Sequence, residues 1–271
     1  MSKFEIKDKL DSSLYKIYNS IVSLRYKKFG STRKLLAGNS KFKNSHLGQR
    51  CFIMGTGPSL LDLKHSQVEV LKSEVVFGVN SLYKSEIGKI VIPRYYALLD
   101  NNYWESPEYK SAFNDIRLAY KEKLPTFITD YRAKAFIDDE VLVQDALYIC
   151  GKKYPIDAVS FDVDECIYGL MNVVSYCIVS AMYMGFKEIY LLGCDYNAFC
   201  TYGRGHCYDD AEEVAGVSYN LAFYLKYYHL TTEFHYLISK LAKSHGVRVT
   251  NLTSVSLLDA YERKPVSAVL G

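Results

Sequence analysis

The stretch that most constrains this 271-residue chain is Cys51-Phe52-Ile53-Met54-Gly55-Thr56-Gly57-Pro58-Ser59-Leu60. A short apolar run enters a glycine turn, which opens onto a segment with helical character. That order predicts a first β-strand delivering its C-terminal end to a ligand of phosphate size. Gly55 and Gly57 remove Cβ atoms where the backbone turns sharply and approaches a ligand closely. Pro58 suits a first helical position, and Ser59 adds a hydroxyl beside N–H groups that attract anions. The spacing is neither the dinucleotide fingerprint, which breaks at Leu60, nor a Walker loop, because no Gly-Lys-Ser/Thr follows.

Strand and helix signals alternate beyond this point. Strands are expected at 50–55, 75–79, 94–99, 125–129, 189–194 and 247–251, with further extended runs at Val141–Val143 and Ala146–Cys150. Helices are expected at 59–72, 107–121, 171–184 and 230–245. Apolar strands alternating with helices predict an α/β fold, with a parallel sheet covered on both faces. Gly55-Thr56-Gly57, Asn80, Asp100 and Asp195 each follow the C-terminal end of a predicted strand, the edge at which open α/β sheets bind ligands. One such residue would be read as a turn or helix cap; four together point to a site.

The net charge of +3 hides an asymmetry. Residues 1–50 carry 12 Lys/Arg and 3 Asp/Glu, or +9, leaving −6 for the remainder. No nucleic-acid partner is therefore expected for the body. Leu10, Leu14, Ile17, Ile21 and Leu24 form one stripe on a basic helix over residues 4–28. Such a helix lies on an anionic membrane surface, or packs on its own domain or a second subunit in a homo-oligomer; packing is the commoner outcome. Residues 29–49 read as a linker, so the expected division is 1–49 and 50–271. Seven irregularly spaced cysteines, no signal-peptide core and no apolar run of membrane-spanning length predict a cytoplasmic protein.

Two segments offer chemistry. The first runs from Cys194 to Asp210, where Asp195 could hold a ribose, a base or a metal ion, and Tyr196 and Tyr202 could donate to a phosphate. His206 and Arg204 could supply a proton and a positive charge. A zinc set of Cys194, Cys200, His206 and Cys207 lacks the paired Cys-x-x-Cys spacing. The second is His229, just before the helix expected to start near Thr231. A histidine at a helix N-terminus is held neutral by the dipole, as a general base requires; in a plain loop it would be an ordinary surface residue.

The blocks Met54–Leu60, Phe77–Tyr83 and Gly185–Tyr196 resemble those of the family 42 bacterial sialyltransferases. The stretch from His229 through Leu258 can be laid on that family without a gap. The glycine block and the strand-Asp block also resemble 6-hydroxymethylpterin diphosphokinase-like proteins and the flagellar motility accessory factors. The resemblance implies a Rossmann-like domain of modified GT-A type and transfer of a CMP-activated nonulosonic acid. The reaction would be an inverting displacement on a surface glycan, without a metal cofactor. Gly55, Thr56 and Gly57 would approach the nucleotide phosphate, Asn80 and Asp100 the donor nucleotide, and His229 would be the base. The chain departs from the sialyltransferases at Thr56 and Asp100, where they carry Asn, at Asn172-Val173-Val174, and at Asn197. Gly205-His206-Cys207-Tyr208 instead resembles the diphosphokinase-like motif, which sets His206 beside His229 as base. That alternative is an ATP-dependent pyrophosphoryl transfer with Mg²⁺ held by Asp100 and Asp195. A third reading is a nucleotide-binding assembly protein without catalysis.

Overall fold

Successive residues of each central strand enter opposite hydrophobic layers. Cys51 and Ile53 join one layer and Phe52 and Met54 the other, all of them fully buried. The strand therefore reads as an unbroken apolar run, because neither face of the sheet meets water. The computed structural model describes residues 2–139, 145–200, 205–210 and 219–271. Among these, nine strands form one all-parallel sheet: β1 Arg50–Met54, β2 Val76–Val79, β3 Tyr95–Leu98, β4 Thr126–Asp130, β5 Ala146–Lys153, β6 Cys166–Tyr168, β7 Glu188–Leu192, β8 Arg248–Asn251 and β9 Glu262–Arg263. Their order is β6-β5-β4-β3-β2-β1-β7-β8-β9. The chain winds outward from β1 to β6, returns to the other side of β1 as β7, and continues to β9. The winding reverses between β1 and β7, so the connections that leave their C-terminal ends run to opposite sides and leave a crevice there.

One face is covered by the Val173–Tyr183 and Leu221–Ser244 helices, which contribute Cys177, Ile178, Phe234 and Ile238 to the first layer. Short helices cover the other face, with Leu71, Phe113 and Ile116 among the buried residues. The expected α/β class and strand positions are found. Several helix boundaries are corrected. The 59–72 segment divides into a 3-10 turn, Pro58–Asp62, and a short helix, His65–Leu71. The 107–121 segment is helical over Ala112–Ala119. The strand β6 went unread because three residues carry no periodic signal. The expected extended run at Val141–Val143 lies outside the described residues.

Residues 29–49 do not form a linker. They make a helix, Gly30–Ala37, and a 3-10 turn, Gly38–Phe42, that bury Leu36, Asn39, Phe42 and His46. Asn39 explains why a polar segment belongs in the interior. Its Nδ2 donates to the carbonyls of Tyr148 and Val163, each at 2.7 Å, and its Oδ1 accepts from the Tyr148 N–H at 3.1 Å. One side chain thus serves the edge of β5 where β6 does not reach. Asn39→Ala strands these buried backbone groups, at a cost of about 2–4 kcal/mol. The melting temperature should fall by roughly 5–10 °C in a scanning fluorimetry experiment. A fall under about 1 °C would show that water replaces the side chain there.

Candidate functional site

At the crevice the β1 and β7 loops are stitched together. The Gly55 N–H donates to the Leu192 carbonyl and the Gly57 N–H to the Gly193 carbonyl, both at 2.8 Å. Asp195 crosses the gap and accepts from the Ser59 hydroxyl at 2.7 Å and the Ser59 N–H at 3.2 Å. The glycines allow this approach. A Cβ on Gly55 would lie 2.4 Å from the Gly193 carbonyl oxygen, and one on Gly57 would lie 1.8 Å from Asp195 Oδ2. Gly57 has φ −64°, so it is needed for close packing and not for an unusual turn. This corrects the anion-cradle reading of the loop. Both glycine amides are taken, Ser59 faces Asp195, and a single 3-10 turn follows where a helix dipole was expected.

A cleft of about 500 Å³ lies over these loops. It is lined by Gly55, Thr56, Gly57, Asn80, Asp100, Asp195, Tyr196 and His206 of the expected set. The rule of strand-end residues therefore brings together parts of the chain more than a hundred residues apart. Tyr202 and Arg204 lie outside the described residues. No three His, Cys, Asp or Glu side chains converge on a metal site among the described residues.

The helix N-terminus at the cleft belongs to Val173–Tyr183, whose first residues line it. Asn172 caps this helix, accepting from the N–H groups of Val174 at 2.9 Å and Ser175 at 3.3 Å. The positive end of the helix dipole is thus turned toward ligand space. Tyr227 hydrogen-bonds to the Met171 carbonyl at 3.0 Å and receives the Asn172 amide at 3.4 Å. Burial raises the pKa of Tyr196, Tyr227 and Tyr228, so all three hydroxyls stay protonated at neutral pH; Tyr227 gives its proton to Met171 and Tyr196 is bonded to Thr231. Arg132 is the lone Lys or Arg among the described lining residues, and its Nε donates to Asp130 at 2.8 Å.

His206 sits in the cleft with a carboxylate partner. Its Nδ1 lies 2.8 Å from Asp210 Oδ2, which also accepts from the Gly205 N–H at 3.1 Å. Tyr208 stacks on the ring at 5.0 Å between centroids, and the Cys207 N–H ties the loop to the Thr56 carbonyl at 2.8 Å. With Asp210 holding Nδ1–H, the basic lone pair is on Nε2. His229 is placed differently. The helix starts at Leu221 with Asn220 as its cap, not near Thr231, so His229 lies roughly two turns inside it. No helix-end dipole acts on it. Its side chain is 69% exposed, 3.9 Å from Glu233, and it lines a separate groove beside Lys7, Tyr15 and Tyr154.

His235, which carries no sequence signal of a site, is part of the cleft wall. It is fully buried, with Nδ1 2.8 Å from the Tyr261 hydroxyl and Nε2 3.2 Å from the Ser175 hydroxyl. Burial lowers its pKa to about 3. The unfolded chain therefore binds a proton near pH 6.5 that the folded protein refuses, so stability is full above pH 6.5 and falls as the pH drops toward 3. Between pH 6.5 and 5, this group should remove about 2 kcal/mol. Denaturant titrations of the wild type and His235→Gln should show that slope only in the wild type. Parallel pH profiles would contradict the assignment.

Strain also gathers here. Four non-glycine residues have positive φ among those described, and three of them, Asn80 at +47°, Met171 at +56° and Tyr196 at +58°, line the cleft. The buried Tyr96 hydroxyl holds the Asn80 turn by donating to its carbonyl at 2.9 Å. Such conformations persist where surrounding contacts over-determine them, and they concentrate at binding sites. Asp130 and Arg132 were missed by sequence reasoning. The strand-end rule that found Asp100 and Asp195 would have found Asp130 one residue past the predicted strand.

The architecture and cleft define a doubly wound α/β protein with its ligand space at the topological switch point. The chain belongs to the 6-hydroxymethylpterin diphosphokinase MptE-like family, whose sequence profile matches residues 26–199. No curated protein matches the sequence significantly. Among solved structures, the chain is similar to the sialyltransferase CstII from Campylobacter jejuni, at 15% identity and a TM-score of 0.49, covering 81% of this chain and 86% of that one. It is also similar to the MAf glycosyltransferase from Magnetospirillum magneticum AMB-1, at 14% identity and a TM-score of 0.45, covering 84% of this chain and 35% of that one.

Proposed function

We propose that this protein is a glycosyltransferase that moves a CMP-activated nonulosonic acid onto a hydroxyl of a surface glycan precursor, in the cytoplasm. The observation that carries the reading is the His206–Asp210 pair, 2.8 Å apart, at a cleft faced by a helix N-terminus and protonated tyrosines. His206 Nε2 takes the proton of the acceptor hydroxyl. The acceptor oxygen then attacks the anomeric carbon from the face opposite the nucleotide, and the bond from that carbon to the phosphate oxygen breaks. Both of its electrons leave with CMP, so the anomeric centre inverts. Asp210 keeps the imidazole oriented and stabilises the imidazolium that forms. The leaving phosphate gains charge, which the Val173 helix end and the Tyr228 hydroxyl can offset.

The carboxylates fit this reading better than a ready magnesium site. Asp195 is held by Ser59, Asp130 by Arg132, and Asp100 Oδ1 accepts from the Asn102 N–H at 3.0 Å. The family match is compatible with this reading and equally with a second, an ATP-dependent pyrophosphoryl transfer in which Asp100 and Asp195 would bind Mg²⁺. Asp195 would first have to give up Ser59. CMP release from CMP-sialic acid, measured with Mg²⁺ and with EDTA, tests the proposal. Turnover unaffected by EDTA supports it. Turnover of ATP alone, abolished by EDTA, would overturn it in favour of the second reading.

A further inference from the structure

The helix Lys3–Lys28 is turned the opposite way from what its apolar stripe would suggest. It is held to the body by its other side: Tyr15 stacks on Tyr154 at 3.6 Å, and Asn19 exchanges hydrogen bonds of 2.9 and 2.7 Å with the Tyr154 carbonyl and N–H. Val22 and Tyr26 pack against the second hydrophobic layer. Leu10, Leu14, Ile17, Ile21 and Leu24 therefore face outward and are 48–64% exposed. Of the two packing outcomes, own domain or second subunit, the first is excluded for this stripe.

We propose that this stripe docks on an anionic lipid surface, laying the helix in the plane of the membrane. Charge selects this occupant over a second copy of the chain. At 100° per residue, Lys9, Lys16 and Lys27 flank the stripe on one side with no acidic residue among them, and Arg25 and Lys7 on the other, where Lys7 pairs with Asp11 at 2.6 Å. Lys3 and Lys28 lie in line with it at its two ends, and Glu5 and Asp8 project toward the opposite side. Two such stripes face to face would bring lysines against lysines at both ends and along the seam. On a lipid surface the same lysines reach up to the headgroups while the leucines and isoleucines enter the acyl boundary. No helix among the described residues is long and apolar enough to cross a membrane, so contact at the surface is what this helix offers.

Co-sedimentation of the full chain with vesicles tests this, using phosphatidylcholine alone and phosphatidylcholine with about one-third phosphatidylglycerol. Binding should require the anionic lipid and weaken about tenfold or more between roughly 0.1 and 0.5 M salt. Ile17→Glu/Ile21→Glu should abolish binding without lowering the melting temperature, because both side chains are about half exposed. Lys9→Gln/Lys16→Gln/Lys27→Gln, which leaves the apolar stripe intact, should cut anionic binding about tenfold or more and guards against misfolding of the first variant. Equal binding by wild type and both variants, or no binding to either vesicle, would overturn the proposal. So would a dimer in analytical ultracentrifugation that the Ile17→Glu/Ile21→Glu variant converts to monomer.

Discussion

Gly57→Ala is expected to disable ligand binding while leaving the fold in place. The added Cβ would fall 1.8 Å from Asp195 Oδ2 and 2.7 Å from the Gly193 carbonyl oxygen, both inside any real contact distance. The first atom belongs to a side chain held by two bonds from Ser59, and the second to backbone at the end of β7. Neither gives way without opening the stitch between the β1 and β7 loops. Overpacking of this kind costs about 1–3 kcal/mol, which the body can absorb. The site cannot absorb it, since a shift of about 1 Å in positioning groups can cost on the order of a hundredfold in turnover. Gly30→Ala provides the control, because nothing lies within 4 Å of a Cβ there. Calorimetry should show nucleotide affinity reduced about a hundredfold for Gly57→Ala and unchanged for Gly30→Ala. Wild-type affinity in Gly57→Ala would mean that the switch-point crevice is not the nucleotide site.

His206→Ala should lower kcat by about 10²–10⁴-fold, the usual contribution of a positioned general base. Asp210→Asn should fall short of that, by roughly 10–10³-fold, because the ring stays in place while its orienting carboxylate is gone. His229→Ala should remain within about twofold of wild type, since that side chain is exposed and lines a different groove. Steady-state CMP release by the three variants separates the two histidines in one experiment. Loss of turnover in His229→Ala with retention in His206→Ala would reverse the assignment. Retention in both would overturn the assignment of either histidine as the base, whereas nucleotide binding with no turnover by the wild type would support the third reading, a nucleotide-binding assembly protein.

The reach of the sequence differs between the sheet and the site for a physical reason. A buried parallel strand must be apolar on both faces, so Cys51–Met54, Val76–Val79 and Ile189–Leu192 announce themselves in isolation. Residues at their C-terminal ends are equally legible, and Asn80, Asp100 and Asp195 all reach the cleft. What pairing decides is not legible. The glycine loop looked like an anion cradle until β7 proved to be its neighbour and took its amides. His229 looked like a helix-end residue because Leu221–Tyr228 is rich in aromatics and lacks a strong start signal beyond Asn220. Residues 29–49 looked like a linker because a single buried asparagine satisfying a strand edge has no sequence signature. His235 lay on a plain helical face, and only the Ser175 and Tyr261 hydroxyls show that it is part of the cleft wall.

Thermal stabilisation by CMP, CDP, UDP, GDP and ATP, each with and without Mg²⁺, separates the CMP-sugar transferase from the pyrophosphoryl transferase. A ligand bound only by the folded state, at about a hundredfold above its Kd, adds about 2.7 kcal/mol. For a chain of this size that raises the melting temperature by roughly 5–10 °C. This rise is expected with CMP or CDP, independent of Mg²⁺, and should be lost in Gly57→Ala. A rise with ATP alone that requires Mg²⁺ would contradict the assignment of a CMP-sugar transferase and make pyrophosphoryl transfer the activity to pursue.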